Sequence, residues 1–361
     1  MATSKSGIAL LKGYAGLGNR ILALLTAILY SRLANRHLLV DWRDGMYADS
    51  GVNSFPLLFS CRSASPLVDD LQSNSIHPSL DVDTGPRPQR HRNGATDRSE
   101  GWIGMPIQGE LYSFDPRCLH CQEHVLVMWP SIARIGPMRR HFHGPWRPWD
   151  ALADDQLLAR LLKEELDVHP DILASCAEVQ NGWPDRPKIG VHVRHSDRTT
   201  NLRRLRHRVA ELRQRHPDAV LFLATDSRAV LDDFQSRYGE VLTAPKWLPE
   251  SGPLHQPLAA CPDRLAMARA ALVDMRLLAS CDQLIVNENS SFSLITRLWW
   301  QVVWGADRAR VRRHVRNVAT LGWLPFPLRE RAWKSRDGIL WARWLWQTRR
   351  QLRRLERQAA G

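Results

Sequence analysis

The stretch Lys188-Ile189-Gly190-Val191-His192-Val193-Arg194-His195-Ser196-Asp197-Arg198 changes from buried-strand composition to clustered charge within a few residues. Ile189, Val191 and Val193 are the β-branched residues of a strand sheltered on both faces, and Pro184 and Pro187 mark its start. An Arg- and Leu-rich run from Leu202 to Arg215 follows and reads as a helix. His192, Arg194, Asp197 and Arg198 thus fall at the carboxyl end of a strand, where open α/β sheets bind ligands. The planar fork of Arg194 suits a phosphate, although Arg194 and Asp197 serve equally well as a plain pair at a strand end.

The design recurs along the chain. Upstream, Gly7 to Leu11 reads as a buried strand, Lys12 to Arg20 as a glycine-rich turn, and Ile21, Leu24, Leu25, Ile28 and Leu29 as one apolar helix face. His37 to Trp42 is a second strand, completing a unit of βαβ size. Gly13, Gly16 and Gly18 approximate the dinucleotide fingerprint without matching it, and no P-loop lysine follows. The turn is either a ligand loop with Gly16, Gly18, Asn19 and Arg20 as its contacts or a tight packing turn. Asp41 caps or pairs with Arg43, whereas Asp44 lies further into the next loop and faces a cleft in the functional reading.

Downstream, Val125 to Trp129 reads as a strand, Ala151 to Leu166 as an amphipathic helix, and residues 181–187 as a linker. Ala219 to Thr225 repeats the buried strand and ends in Asp226 and the N-cap candidate Ser227; Asp226 either caps the next helix or accepts from a ribose or base. A helix from Ala266 to Cys281 leads to the strand Gln283 to Val286, then to Ser290 and Ser291 at the start of another helix, a place that suits phosphate or simple capping. Helices alternating with buried strands predict an α/β fold with parallel sheets.

At 361 residues, with 44% hydrophobic and 24% charged residues, two domains are expected. The divisions are residues 1–180, with an irregular insertion near 73–101, then 181–305, then a basic Trp-rich tail at 306–361. The tail segment Ile339 to Arg354 reads as a helix lying on an anionic membrane surface or packing its tryptophans on the protein body. A formal net charge of +13 calls for an anionic partner, and the spread of basic residues argues against nucleic acid. Six scattered cysteines indicate reduced thiols; Cys118-Leu119-His120-Cys121 is too incomplete for a zinc site, so no metal is expected. The short polar segment Met1 to Gly7 lacks a signal-peptide layout and no apolar run spans a bilayer. The expected location is the cytoplasm, including the inner face of the membrane.

Gly16-Leu17-Gly18-Asn19-Arg20 with its Leu-rich helix and Leu38-Leu39-Val40-Asp41-Trp42 form one block of motifs. Gly190-Val191-His192-Val193-Arg194-His195, Ala224-Thr225-Asp226-Ser227 and the segment from Asp274 to Ser291 form another. Together they resemble the fucosyltransferase superfamily. The likeness is closest to the bacterial nodulation-type α1,6-fucosyltransferases, with a first motif also like that of plant xyloglucan fucosyltransferases. It covers Gly7 to about Phe59 and Lys188 to about Trp300.

The resemblance implies a GT-B architecture of two facing Rossmann-like domains, with an acceptor in the N-terminal half and GDP-fucose mainly in the C-terminal half. It gives Arg194 the diphosphate, His192 the same pocket, Ser290 and Ser291 the phosphates, and Asp226 the nucleoside. With Gly16, Gly18, Asn19, Arg20, His195 and Arg198 these complete the expected donor-binding set. The implied reaction is inverting transfer of fucose from GDP-fucose to a glycan or lipid-linked saccharide, with no metal. His195 and Leu202 stand where related animal enzymes carry a second Arg and a Glu, which leaves Asp44 and Asp197 as catalytic candidates beside Arg194. The alternatives are another nucleotide-sugar donor, or an inert basic protein that binds polyanions or membrane surfaces.

Overall fold

Two five-stranded parallel sheets, one from each half of the chain, carry the architecture. The computed structural model describes residues 7–68, 76–77, 116, 119–120, 124–128, 130, 133, 135–195, 200–248, 261–287, 290–305 and 311–314, all within one compact unit. The first sheet contains β1 (Ile8–Lys12), β2 (His37–Asp41), β4 (Ala64–Pro66), β5 (Ile76–His77) and β6 (Val125–Met128), in the order β4-β2-β1-β6-β5. Between them in sequence, β3 (Phe59–Cys61) pairs antiparallel with β7 (Leu166–Val168). The second sheet contains β8 (Lys188–Val193), β9 (Val220–Thr225), β10 (Val241–Leu242), β11 (Gln283–Asn287) and β12 (Val311–His314), in the order β10-β9-β8-β11-β12. The longer helices are α1 (Leu17–Ala34), α2 (Asp154–Glu165), α3 (Pro170–Asn181), α4 (Leu202–Arg215), α5 (Arg228–Tyr238), α6 (Arg264–Ser280) and α7 (Ser291–Trp304).

The expected strands form because their residues are apolar on both faces. In β8 everything from Ile189 to Val193 is buried, and all six residues of β9 are. Gly190 allows the close fit: a Cβ there would lie 3.0 Å from the Cys281 sulfur and 3.1 Å from Leu278. Strands that run parallel bring their carboxyl ends to the same edge of each sheet, so Lys12 and Asp41, and then His192, Thr225 and Asn287, arrive together.

Two elements differ from expectation. Helix α1 is buried on every side from Leu17 to Ser31 apart from Asn19, not on one face. The reason lies far along the chain: α7, the last long helix, returns to pack on α1 and α2, covering the side of α1 turned away from its sheet. The indole N–H groups of Trp300 and Trp304 on α7 reach back to the carbonyls of Cys281 (3.0 Å) and Ala279 (3.1 Å), so the same helix also seals α6. Within the stretch expected to be irregular, Ile76 and His77 pair parallel with Val125 and Leu126 as an edge strand. Two residues paired on one side leave no periodicity to read.

The halves meet backbone to backbone at Gly18. A Cβ there would lie 2.6 Å from the Ser291 carbonyl carbon and 2.7 Å from the Phe292 nitrogen, both backbone atoms at the start of α7. Neither backbone can move aside cheaply. Gly18→Ala is therefore expected to destabilise the protein by about 1–3 kcal/mol, the usual cost of overpacking. Thermal unfolding measures it, and an unchanged midpoint would mean that α1 and α7 do not abut there.

Candidate functional site

On the N-terminal side the glycine turn is built around a buried arginine. Arg20, expected as a polar handle reaching for a ligand, is fully buried. Its Nε–H donates to the Ala15 carbonyl (3.0 Å), its Nη2 to the Asp44 carboxylate, and its guanidinium lies over the rings of Trp42 (5.4 Å) and Tyr47 (4.9 Å). Gly13 makes room, because a Cβ there would meet Arg20 Nη1 at 2.2 Å. Ala15 turns its carbonyl inward by adopting a left-handed φ of 59°. Asp44 thus stands one-third exposed at the rim, tied to Arg20. Gly16 occupies the N-cap of α1, and Asn19 Oδ1 accepts the Ser291 hydroxyl at 2.6 Å across the two halves.

On the C-terminal side His192 is buried at the end of β8, stacked on Phe292 with ring centres 4.4 Å apart and with Nδ1 2.6 Å from Ser293 Oγ. The same hydroxyl accepts the Asn287 N–H at 3.0 Å. Burial, then the neighbouring charges of Arg194 and Lys246, push the imidazole pKa down to about 3, so His192 is neutral at physiological pH. Arg194 is half-buried just beyond the strand, where its carbonyl accepts the Thr200 hydroxyl at 2.6 Å. Its charge also bears on Tyr47 in the other half, a phenol that burial pushes up to about 12 and whose oxygen receives the Leu17 N–H. The His195 N–H donates to Asp226 Oδ1 at 2.7 Å, joining two strand ends. Ser290 caps α7 with its hydroxyl buried and, among the described residues, without a partner.

Of the sequence candidates, Gly16, Gly18, Asn19, Ser290 and Ser291 meet where α1 and α7 begin and His192 stacks on Phe292 beside them, while Arg20 pairs with Asp44 and His195 with Asp226 at the strand ends, next to Arg194. Asp197 and Arg198 lie outside the described residues, as do Cys118, Cys121 and the tail helix. Asp41 takes the modest role: Lys12 (2.6 Å) and Arg43 (3.0 Å) donate to it. Burial pushes its carboxyl up, but these two cations outweigh it and hold the group below its ordinary value.

Sequence reasoning missed the buried ion pair of Lys246 and Asp274 beside His192. Burial raises the Asp274 pKa against the pull of Lys246, and its Oδ1 has no partner among the described residues. An Asp at an inward position of α6 was the one signal available. Among the described residues no three His, Cys, Asp or Glu side chains cluster as metal ligands, and no helix is long and apolar enough to cross a membrane.

The family description "Nodulation protein Z (NodZ)" matches residues 153–319. Nodulation protein Z of Bradyrhizobium diazoefficiens is 25% identical over 304 residues, covering 79% of this chain and 76% of that protein. The Azorhizobium caulinodans protein is 26% identical over 321 residues, covering 82% and 90%. A solved structure of NodZ α-1,6-fucosyltransferase soaked with GDP-fucose superposes with a TM-score of 0.54 at 21% identity, covering 82% of this chain and 93% of that one. The fold is of the GT-B type, the one shared by the solved structures it resembles. More particularly, the chain is similar to nodulation protein Z, through the family model over residues 153–319 and through relatives about one-quarter identical over some four-fifths of its length.

The neutral, buried His192 makes a prediction about acid. Its folded-state pKa lies below the unfolded value of 6.5, so the unfolded chain binds the extra proton first. Its contribution is complete above about pH 6.5 and is lost as pH falls from there towards 3, at up to about 1.4 kcal/mol per pH unit. Denaturant unfolding of wild type and His192→Gln between pH 7 and 4.5 reads this as a difference in slope. Parallel slopes would place the imidazole in water.

Proposed function

We propose that the protein is an inverting fucosyltransferase, taking fucose from GDP-fucose and placing it on a hydroxyl of a glycan or lipid-linked saccharide. The observation that carries the reading is the meeting of the α1 and α7 N-termini, with the Ser290 hydroxyl buried there and without a partner among the described residues. Helix N-termini present unpaired N–H groups and a positive dipole end, which is the environment a pyrophosphate needs. The similarity to NodZ proteins over four-fifths of the chain supports fucose as the sugar and a glycan as the acceptor class.

In this reading Arg194, Ser290, Ser291 and the Gly16–Gly18 backbone hold the two phosphates. Asp226 and neutral His192 line the nucleoside end. When the anomeric bond breaks, GDP leaves with an added negative charge, and these fixed cations and N–H donors lie where that charge develops. The chemistry is met by the chain's own groups, so the reading is metal-independent. The acceptor oxygen attacks the face of the sugar opposite GDP, inverting the anomeric carbon, and the cleft supplies the orientation. Leu202, at the position of a related enzyme's Glu, opens α4 and packs on the apolar core of the second sheet. Asp44 is the carboxylate left at the rim to receive the acceptor's proton.

Titration with GDP tests the phosphate role: Arg194→Ala is expected to weaken binding by roughly 2–4 kcal/mol, the scale for removing one partner of a desolvated charge pair. Wild-type affinity in the variant would remove Arg194 from the donor site. Turnover of GDP-fucose beside GDP-mannose and UDP-glucose tests the sugar, with GDP-fucose expected to be the substrate consumed.

A further inference from the structure

Arg20 and Asp44 were read from the sequence as separate contacts, one for the donor and one for catalysis, and the structure ties them together. The guanidinium is enclosed on every side: Nε donates to the Ala15 carbonyl and Nη2 to Asp44, Trp42 and Tyr47 cover its faces, and Nη1 is buried beside Gly13 without a hydrogen-bond partner among the described residues. A side chain so enclosed cannot swing out to meet a substrate. What it does reach is a carboxylate that stays one-third exposed. The second carboxylate oxygen of Asp44 accepts the Met46 N–H at 3.3 Å, so both oxygens are oriented while one edge of the group remains open.

The loop that carries Asp44 also borders the opposite half. The Gly45 carbonyl accepts from Arg264 Nη1 of α6 at 2.8 Å, and the Tyr47 phenol lies close enough to Arg194 to feel its charge. Asp44 thus sits immediately before two residues of its own loop that meet the donor-side elements. We infer that Arg20 is a positioning residue for the transfer step, holding Asp44 where the acceptor hydroxyl enters. This rests on the transferase reading. In the step, the acceptor oxygen bonds to the anomeric carbon as that carbon's bond to the β-phosphate oxygen breaks. The bonding pair leaves with GDP, and the acceptor's proton passes to Asp44. Lysine cannot replace Arg20, because one ammonium cannot serve the Ala15 carbonyl and the Asp44 carboxylate with a planar fork.

The test follows GDP release from GDP-fucose, with water and then methyl glycosides as acceptors, for wild type, Asp44→Asn, Arg20→Lys and the double variant. Asp44→Asn is expected to lower kcat by about 100-fold, the lower range for losing a proton acceptor, while GDP affinity stays within about twofold. Arg20→Lys is expected to lower kcat by about tenfold with KM for GDP-fucose unchanged, and the double variant to match Asp44→Asn alone, because Arg20 acts through Asp44. Added formate is expected to restore part of the turnover of Asp44→Ala, a rescue that a purely structural role would not show. A wild-type rate in Asp44→Asn overturns the inference, as does an Arg20→Lys effect that persists in full in the double variant. If Arg20→Lys does not fold, the Asp44→Asn rate and the formate rescue decide the matter alone. Undiminished GDP binding in Arg194→Ala, or no turnover by wild type with any of these acceptors, is instead the failure of the transferase reading itself.

Discussion

Everything at the site depends on backbone meeting backbone between Gly18 and the Ser291–Phe292 peptide. Two helix N-termini brought together place partial positive charges in one region, an arrangement that repels itself. It persists because the apolar core runs without a break from α1 through α2 to α6 and α7, and because the Ser291 hydroxyl is bonded to Asn19. An anion between the two helix starts relieves the repulsion that the packing imposes. In the transferase reading, the preference for a negatively charged ligand is thus a consequence of how the halves are joined, before any single side chain is considered.

Behind that contact the polar groups are held in layers. Ser293 accepts the Asn287 N–H and so has its own proton to share with His192, while Phe292 supports the imidazole ring from one face. Burial first, then the charges of Arg194 and Lys246, keeps His192 neutral, and Lys246 is itself paired with the buried Asp274. A site supported in this way does not reorganise when charge develops on a leaving group, which is the condition under which fixed dipoles and cations are most effective.

The buried strands and their polar ends were legible because burial on both faces demands apolar runs, and Ile189 to Val191 and Val220 to Ala224 have them. The N-cap Ser227, whose hydroxyl accepts from the Val230 N–H three residues on, is an equally local feature. What was not legible is set by partners remote in sequence. Arg20 looked like a surface handle because nothing nearby says that Gly13, Trp42, Tyr47 and Asp44 will enclose it. The all-round burial of α1 needed α7, more than 250 residues later. Lys246 and Asp274 sit in unremarkable contexts, and only their meeting beside His192 gives them a role.

The net charge of +13 is a poor guide to this site, and the reason is physical. Arg203, Arg204 and Arg208 on α4 are exposed, where solvent and salt screen them. Beside the half-buried Arg194, three cations at these strand ends and in the core are buried or nearly so and each is matched: Arg20 by Asp44, Lys246 by Asp274, Lys12 by Asp41. Such pairs contribute little net stability, since desolvation offsets their attraction, yet removing one member strands a buried charge. Their value is geometric. An arginine that cannot move fixes a carboxylate that solvent can still reach, and that difference in exposure within one ion pair separates a structural pair from one poised to act.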